Sequence, residues 1–416
     1  CIYSKMKEIK NKSNSSKYIL MLGCFDTKGE DFSYLYENIL AVGQKVITIN
    51  TGVMESSVNF KIDYNADLVA RKAGATLQEI RNSEDRGKAV EFMGNGAAVI
   101  ISQLVLENKI KGAIGMGGGG GTYIALSAMQ EIPLGIPKLC LSTLAAKDVS
   151  RQVGSKDITL MSSVVDVAGL NSISKLLIKQ AAAAICGMAN VTIVEKEKSH
   201  GTIAISMFGN TTKCVNKCKE ILNEKGYEAL VFHANGVGGL TMESLIREGC
   251  FDAVLDVTTT ELADELFGGI CSAGPDRMTA ASEMGIPQIV APGCLDMVNF
   301  AHIDTLPEKY KDRQLYSWAP DVTLMRTNAE ENRKLGEVIA RKINKTKAPA
   351  AILLPNKGIS QIDTEGGIFY QPTYNRILLD TIKEKTKAEI LVLEFDLNIN
   401  DDEFANVLVE NLLKIL

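Results

Sequence analysis

Short apolar runs alternate along the chain with longer segments whose apolar residues recur at helical spacing. In the first half, strands are predicted over Tyr18–Gly23, Lys45–Ile49, Ala113–Gly115 and Lys138–Leu141, and helices over Glu30–Ala41 and Tyr123–Gln130. In the second half, strands are predicted over Thr202–Met207, Tyr227–Phe232, Ala253–Val257 and Gln288–Val290. Strands that alternate with helices form right-handed βαβ units. The pattern therefore predicts an α/β fold with mainly parallel sheets.

Two pairs of similar segments indicate that the halves of the chain have related folds. A turn-rich segment follows the first strand of each half, at Gly23–Gly29 and at Met207–Lys213. A Gly-Ile-Pro tripeptide, beginning at Gly135 and at Gly285, leads into a later strand of each half. We therefore predict two doubly wound, Rossmann-like domains over residues 17–190 and 200–416. Residues 1–16 are polar and predict a disordered tail, and the charged run Glu195–His200 predicts a linker.

Composition and charge exclude several classes of protein. The chain has 45 Lys and Arg against 50 Asp and Glu, a net charge of -5, which argues against binding nucleic acid by neutralising phosphates. The most apolar stretches, Ala97–Leu106 and Ala181–Ala189, are short for a membrane span. The nine cysteines are scattered without a CxxC pair and only three histidines are present, so no structural metal site is expected. Reduced thiols predict a cytoplasmic protein.

The strongest local motif is the glycine-rich segment Gly115–Thr122, which lies between a predicted strand and a predicted helix. Such a loop exposes backbone N–H groups at a helix N-terminus, where phosphate binds well. Thr122 would cap the helix or bond a phosphate oxygen. The segment matches neither a Walker A motif nor a complete dinucleotide fingerprint, and close packing of helix on sheet is the alternative explanation. We predict phosphate contacts from Gly117, Gly118, Gly119, Gly120, Gly121 and Thr122.

A second loop, Asp26–Gly29, follows the first strand and should meet the glycine loop at the carboxyl edge of the sheet. Lys28 would pair with phosphate, and Asp26 would hold Mg²⁺ or a ribose hydroxyl. Alternatively, Asp26 and Thr27 simply cap the next helix. Polar residues at the end of another strand would border the same crevice, namely Ser142 and Asp148, with Asp148 a second candidate for Mg²⁺.

Polar clusters also follow three predicted strands of the second half. They contain His233, Glu261 and Asp296, which we predict as acid–base catalysts if the protein is an enzyme. The hydroxyl-rich run from Thr258 to Glu261 also fits a helix cap followed by a capping-box acid. No GxSxG elbow is present, so a Ser-His-Asp triad is not expected.

Several long motifs resemble one uncharacterised bacterial and fungal protein family, related to the ATP-binding N-terminal region of the tomato mosaic virus resistance protein. They are GCFDTKGE, GMGGGGGT, SSVVDVAGLN, VFHANGVGG, DVTTTELADE, PGCLDMVNF and VTLMRT. The resemblance runs from about Lys17 to Ala405. It implies two Rossmann-like subdomains, dimerisation, and ATP binding by the N-terminal half. Gly119 stands where the family commonly has serine, and Lys213 where it has proline.

We therefore predict a cytoplasmic, homodimeric protein that binds ATP, with or without Mg²⁺, at its N-terminal glycine loop. A small-molecule site is predicted at the strand ends of the C-terminal domain, and neither nucleic acid nor membrane is expected as a partner. The sequence leaves open whether ATP is turned over or only sensed. The alternative is a metabolic enzyme that acts on a phosphorylated or acidic small molecule without ATP.

Overall fold

The computed structural model describes residues 17–192 and 199–416, so the predicted tail 1–16 and most of the predicted linker lie outside the described residues. The described chain divides into two compact units, which we call the N-terminal and C-terminal domains. The N-terminal domain contains β1 (Tyr18–Gly23), α1 (Gly29–Ala41), β2 (Val46–Asn50), α2 (Ala66–Lys72), α3 (Leu77–Asn82), α4 (Arg86–Leu106), β3 (Ile110–Gly117), α5 (Gly119–Met129), β4 (Lys138–Ser142), α6 (Ser150–Val153), β5 (Ile158–Ser162) and α7 (Ser172–Ala189).

The N-terminal domain is built on a five-stranded parallel sheet in the order β2-β1-β3-β4-β5. Strands β1 to β4 are buried on both faces, as parallel strands covered by helices should be, whereas the edge strand β5 is partly exposed. On β1, Leu20 and Leu22 join the core formed with α4, while Ile19 and Met21 join the core formed with α1 and α7. This alternation explains why the strand reads as a continuous apolar run. The strand order reverses between β1 and β3, which is where such sheets form a crevice.

Helix α4 extends well beyond the apolar stretch Ala97–Leu106 that was singled out in the sequence. It is 21 residues long, and by length and composition it is able to cross a membrane, the one such helix among the described residues. In the structure, Met93, Ala97, Ile100 and Leu104 of α4 are buried in the core on one face of the sheet. Buried core helices pass the same compositional test, so this helix is weak evidence for a membrane span.

The C-terminal domain contains a larger sheet and a small additional one. Its elements are β6 (Thr202–Met207), α8 (Thr212–Glu224), β7 (Glu228–His233), α9 (Val237–Arg247), β8 (Ala253–Thr258), α10 (Thr260–Phe267), α11 (Ala280–Met284), β9 (Gln288–Gly293), β10 (Met297–Phe300), β11 (Leu315–Ala319), β12 (Val322–Arg326), α12 (Ala329–Ile343), β13 (Ala350–Pro355), α13 (Pro372–Lys385), β14 (Leu391–Phe395) and α14 (Asp402–Ile415).

The main sheet of the C-terminal domain repeats the topology of the N-terminal domain. Its six parallel strands lie in the order β14-β13-β9-β8-β6-β7. Strands β7, β6, β8, β9 and β13 thus occupy the positions that β2, β1, β3, β4 and β5 occupy in the N-terminal domain, and the order reverses between β6 and β8. Strands β4 and β9, which follow the two Gly-Ile-Pro segments, occupy equivalent positions. The predicted α/β class with doubly wound, mainly parallel sheets is confirmed.

The structure differs from the sequence-based elements in two places. Strands β10, β12 and β11 form a three-stranded antiparallel sheet, which was not predicted because β11 is short and half-exposed. Helix α5 begins at Gly119, four residues before the predicted start at Tyr123. The amide of Thr122 donates to the carbonyl of Gly118 at 2.8 Å and thereby closes the first turn, so most of the glycine run is helical.

Candidate functional site

The loops after β1 and β3 line a cavity of about 590 Å³ in the N-terminal domain. The two strands are neighbours at the point where the strand order reverses, so their following loops diverge and leave a crevice. The predicted residues that line the cavity are Asp26, Thr27, Lys28, Gly117, Gly118, Gly119, Gly120 and Gly121. The two loops singled out in the sequence are therefore brought together.

The glycine loop forms one wall of this cavity. Its glycines allow close packing and leave open space, and none of them is required by a turn with positive φ. None of the glycines from 117 to 121, all of them described, has a positive φ. A Cβ at Gly117 would lie 2.9 Å from the Cα of Gly121, so Gly117 permits the close approach of strand and helix. A Cβ at Gly119 would meet nothing within 4 Å. Gly118 is the N-cap of α5 and supplies no capping side chain. Backbone N–H groups at this helix N-terminus are therefore accessible from the cavity.

Two cations and two carboxylates of the lining, Asp26 and Asp166, give the cavity its polar character. Lys28 and Arg86 both line it, and neither forms an ion pair within residues 17–192. The carboxylate of Asp26 is held in place, because Oδ1 accepts from the amide of Thr27 at 2.7 Å and Oδ2 accepts from the amide of Met54 at 2.9 Å. Asp26 thus ties its own loop to the segment after β2. The arrangement suits an anion with a bound cation.

Helix α4 supplies the opposite, largely apolar wall. Arg86, Ala89, Val90 and Met93 line the cavity at positions i, i+3, i+4 and i+7, which lie on one helix face. Arg86 was not predicted as a site residue. In the sequence, Arg86 could have been recognised as a cation in the first turn of a helix. The helix is capped by Asp85, whose side chain accepts from the amide of Lys88. Nothing local indicates that this turn lies opposite the glycine loop.

Thr122 and Ser142 lie beneath the cavity rather than in its wall. Both are buried, and their hydroxyl oxygens are 2.6 Å apart. The Thr122 hydroxyl also lies 3.1 Å from the carbonyl of Gly117, and Ser142 Oγ accepts from the amide of Leu144 at 2.9 Å. Contrary to our expectation, the hydroxyl of Thr122 neither caps α5 nor faces the cavity. These two side chains fasten the ends of β3 and β4.

Asp148 also lies away from the cavity. It is exposed, and its Oδ1 accepts from the amide and the hydroxyl of Ser150 at 3.0 and 2.6 Å, bonds that hold the pKa of Asp148 below its usual range. The carboxylate that does line the cavity from this side is Asp166, an exposed residue that was not predicted. Asp166 and Thr143 also line a neighbouring cavity of about 340 Å³ at the ends of β4 and β5.

The three predicted catalysts of the C-terminal domain occupy different environments. His233 is exposed, stacks on Phe208 with ring centroids 5.4 Å apart, and lines a cavity of about 260 Å³. Glu261 and Asp296 are fully buried and are not among the residues that line this cavity. The described structure therefore does not bring the three together as one catalytic group.

Glu261 belongs to a buried ionic cluster centred on Arg277. Its Oε2 accepts from Nε of Arg277 at 2.5 Å, and its Oε1 accepts from the amides of Gly236 and Gly239 at 2.8 and 3.0 Å. Arg277 also donates to both carboxylate oxygens of Asp256, at 2.6 and 2.7 Å. Burial raises the pKa of Glu261, and the charge of Arg277 opposes that shift. Glu261 therefore joins the start of α9 to Arg277.

Asp296 belongs to a second buried group. Its Oδ2 accepts from the hydroxyl of Ser360 at 2.8 Å, while Oδ1 has no partner among the described residues. Burial, together with the neighbouring carboxylate of Asp363, raises the pKa of Asp296 to about 7. Arg326 lies beside this pair and forms an ion pair with Asp363 at 3.7 Å. Asp296 therefore belongs to a buried polar group and does not line the C-terminal cavity.

Comparison with known proteins gives the family of the chain. Residues 17–193 match the N-terminal domain, and residues 200–416 the C-terminal domain, of an uncharacterised protein family, UPF0261. The chain belongs to this family. A UPF0261 protein of Clostridium tetani is 45% identical over 403 residues, which cover 96% of this chain and 99% of the relative. The resemblance recognised in the sequence motifs is thereby confirmed.

Other UPF0261 relatives extend to plants. The ToMV resistance protein Tm-1(GCR237) of Solanum lycopersicum is 35% identical over 433 residues, covering 97% of this chain but 56% of the tomato protein. Among solved structures, a UDP-N-acetylglucosamine 2-epimerase aligns over 96% of both chains with a TM-score of 0.24 and 10% identity. That similarity supports no conclusion about the chemistry of this UPF0261 protein.

Proposed function

We propose that the N-terminal domain binds ATP in the 590 Å³ cavity, with the phosphates against the glycine loop and the base towards α4. The observation that carries the proposal is the open glycine wall at the N-terminus of α5, where a side chain at Gly119 would project into empty space. A backbone surface of this kind, at the N-terminus of an 11-residue helix, favours an anion through its free N–H groups and the helix dipole.

The charges around the glycine loop support a phosphate chain. Lys28 and Arg86 would each compensate negative charge on phosphate oxygens, and Arg86 would do so in a bidentate manner. A triphosphate carries more negative charge than two cations neutralise, so a bound Mg²⁺ fits the site. Asp26 and Asp166, whose carboxylates line the same cavity, are the residues that would hold it.

The apolar part of the cavity supports a nucleoside rather than a small phosphorylated metabolite. Val90 and Met93 of α4, with Ile124 of α5, form a wall suited to the face of an aromatic base. The volume lies within the range of about 300–1,000 Å³ that is usual for small-molecule sites. A sugar phosphate would leave this apolar wall without a partner. The polar groups fix the phosphates, and the apolar groups give the base its binding energy.

The test is isothermal titration of the protein with ATP in the presence of Mg²⁺. Arg86→Ala removes a cation that lines the cavity, whereas Lys88→Ala removes one from the same helix turn that is exposed and pairs with Asp85. We expect Arg86→Ala to weaken binding by about tenfold to hundredfold, the effect of one charged hydrogen-bonding group, and Lys88→Ala to leave it unchanged. Equal losses in both variants, or no binding by the parent protein, would contradict the proposal.

The proposal concerns binding and assigns no turnover. Among the described residues, no group of three His, Cys, Asp or Glu side chains is arranged to hold a metal ion by itself. Mg²⁺ would therefore enter together with the nucleotide. We also propose, from the family resemblance, that the protein is a homodimer in the cytoplasm. Light scattering on the full chain, with and without ATP, tests the dimer.

A further inference from the structure

A second cavity of the N-terminal domain, of about 340 Å³, lies at the ends of β4 and β5, and we call it the β4–β5 cavity. It shares Thr143 and Asp166 with the proposed ATP cavity, so the two are neighbours. Polar atoms make up most of its accessible wall. Both strands end at the carboxyl edge of the sheet, where doubly wound folds bind their ligands. The β4–β5 cavity is therefore in a position to hold a second ligand.

Three side chains of this wall have charge or hydrogen-bonding capacity that no described residue uses. Lys147 is exposed, and its ammonium group has no ion pair or hydrogen bond within residues 17–192 and 199–416. The carboxylate of Asp166 likewise has no partner in those ranges. The hydroxyl of Ser162 accepts from the amide of Val164 at 3.2 Å, and its own proton has no acceptor among the described residues. The wall therefore offers one positive charge, one negative charge and a hydroxyl donor.

Thr143 places a further free hydroxyl at the border between the two cavities. Its amide donates to the carbonyl of Gly117 at 3.2 Å, which fixes its backbone beside the glycine loop. A Cβ at Gly118 would lie 3.8 Å from Thr143 Oγ1, so the hydroxyl lies next to that loop. It makes no hydrogen bond to the part of the chain that the structure describes. A ligand in the β4–β5 cavity would therefore lie beside whatever the glycine loop binds.

The loop after β5 is held in a conformation that its sequence does not favour. Val164 has a φ of 60°, in the left-handed region, which a β-branched residue adopts only at a cost in free energy. Its side chain is 73% exposed, so burial does not compensate that cost. Neighbouring bonds hold the loop instead: the amide of Ser163 donates to the carbonyl of Ser142 at 3.1 Å, and Ser163 Oγ donates to the carbonyl of Val165 at 2.7 Å. The loop is thereby fixed as one wall of the cavity.

From these features we propose that the β4–β5 cavity binds a small hydroxycarboxylate, with its carboxylate on Lys147 and Ser162 and its hydroxyl towards Asp166 and Thr143. Lys147 lines this cavity and not its neighbour, whereas Asp166 and Thr143 lie at the border, so the lining has a cationic end and a hydroxyl-binding end. A carboxylate forms a charge-assisted hydrogen bond with the lysine, and the ligand's hydroxyl donates to the free carboxylate.

The charge balance favours a carboxylate over a phosphate in this cavity. One lysine neutralises a monoanion, whereas a phosphate dianion would leave excess negative charge beside Asp166. Binding of the carboxylate does not depend on ATP. Only the position of the hydroxyl beside a phosphate chain rests on the proposed function.

The experiment is saturation-transfer NMR of the full chain, without nucleotide, titrated with glycerate as the probe. Glycerol, which lacks the carboxylate, and propionate, which lacks the hydroxyls, are titrated in parallel. Lys147→Ala removes the cation of the cavity, and Arg151→Ala is its matched control, because Arg151 is an exposed cation four residues later that lines neither cavity. Because no nucleotide is present, failure of the ATP proposal leaves this measurement intact.

We expect glycerate to bind with a dissociation constant in the millimolar range, since so small a ligand makes few contacts. Glycerol should bind about tenfold to hundredfold more weakly, the effect of one charged hydrogen bond, and propionate about threefold to tenfold more weakly, the effect of one neutral hydrogen bond. Lys147→Ala should weaken glycerate binding by about tenfold or more, and Arg151→Ala should leave it unchanged.

Four outcomes would overturn the proposal. The first is no saturable binding of glycerate by the parent protein, and the second is equal affinity for glycerate and for either of its two analogues. The third is an equal loss in Lys147→Ala and Arg151→Ala, the result expected if surface charge alone attracts the anion. The fourth is a larger loss from Arg86→Ala than from Lys147→Ala, because Arg86 lines only the neighbouring cavity and the carboxylate would then lie against the glycine loop.

Discussion

The assignment of Glu261 to structure rather than catalysis makes a measurable prediction. Glu261→Gln keeps the size of the side chain and an oxygen that accepts from Gly236 and Gly239, but it removes the charge that faces Arg277 at 2.5 Å. The new amide N–H₂ group would meet the guanidinium of Arg277, and both are donors. The variant therefore tests the ionic contact with little change in packing.

The size of the effect follows from what remains around Arg277. Removing one partner of a buried ion pair costs about 3–5 kcal/mol when nothing else compensates the remaining charge. Here Asp256 still forms two bonds to Arg277, and the cluster loses one of its three carboxylates, so the lower end of that range applies. We expect the C-terminal domain to lose about 3 kcal/mol of unfolding free energy.

Urea unfolding followed by the fluorescence of Trp318, which lies in the C-terminal domain, measures this loss directly. With a slope of about 1–3 kcal/mol per molar urea, the midpoint should fall by at least about 1 M. Glu265→Gln is the control, because Glu265 is exposed on the same helix and should change stability by less than about 0.5 kcal/mol. An unchanged midpoint for Glu261→Gln, or equal shifts in the two variants, would refute the structural assignment.

Three further predictions follow from side chains that the structure relocates or explains. Thr122→Ala should lower the unfolding free energy by about 1 kcal/mol while ATP affinity in titration changes less than about threefold, because its hydroxyl contacts Gly117 and Ser142 beneath the cavity. Gly119→Ser should fold normally, since a Cβ there meets open space; a loss of folding seen by circular dichroism would contradict this. Because the pKa of Asp296 is raised to about 7, folding takes up a proton between about pH 4 and pH 7, and stability should fall as pH rises through that range by about 1.4 kcal/mol per unit. Asp296→Asn cannot titrate, so its urea midpoints at pH 5 and pH 7.5 should differ less than those of the parent protein.

The fold could be predicted from the sequence because strands and helices are indicated by local patterns of apolar residues. Strand β1, for example, is indicated by the apolar run Ile19, Leu20, Met21 and Leu22, whose side chains alternate between two cores. The loops after β1 and β3 were predictable in the same way, because parallel strands end at one edge of the sheet.

The composition of the site was less predictable, because it depends on side-chain direction and on contacts distant in sequence. A threonine at the end of a glycine run reads equally well as a phosphate ligand or a buried tie. Only the distance of 2.6 Å to Ser142 decides between the two. Arg86 enters the cavity from a helix separated from the glycine loop by the whole of β3, and Glu261 meets Arg277 across sixteen residues. No spacing rule reports such contacts.

The two domains share a strand order, yet the equivalent loops differ in their side chains: one consists of glycines and the other of buried threonines. After β3, glycines leave backbone N–H groups open at the start of α5. After β8, Thr258, Thr259 and Thr260 fill the corresponding turn with buried side chains, and Thr258 Oγ1 lies 2.7 Å from the hydroxyl of Thr211. A phosphate would have to displace these bonds, so the second crevice is closed to it. The duplicated fold therefore provides a crevice suited to anions in the N-terminal domain, whereas threonine side chains fill the equivalent turn of the C-terminal domain.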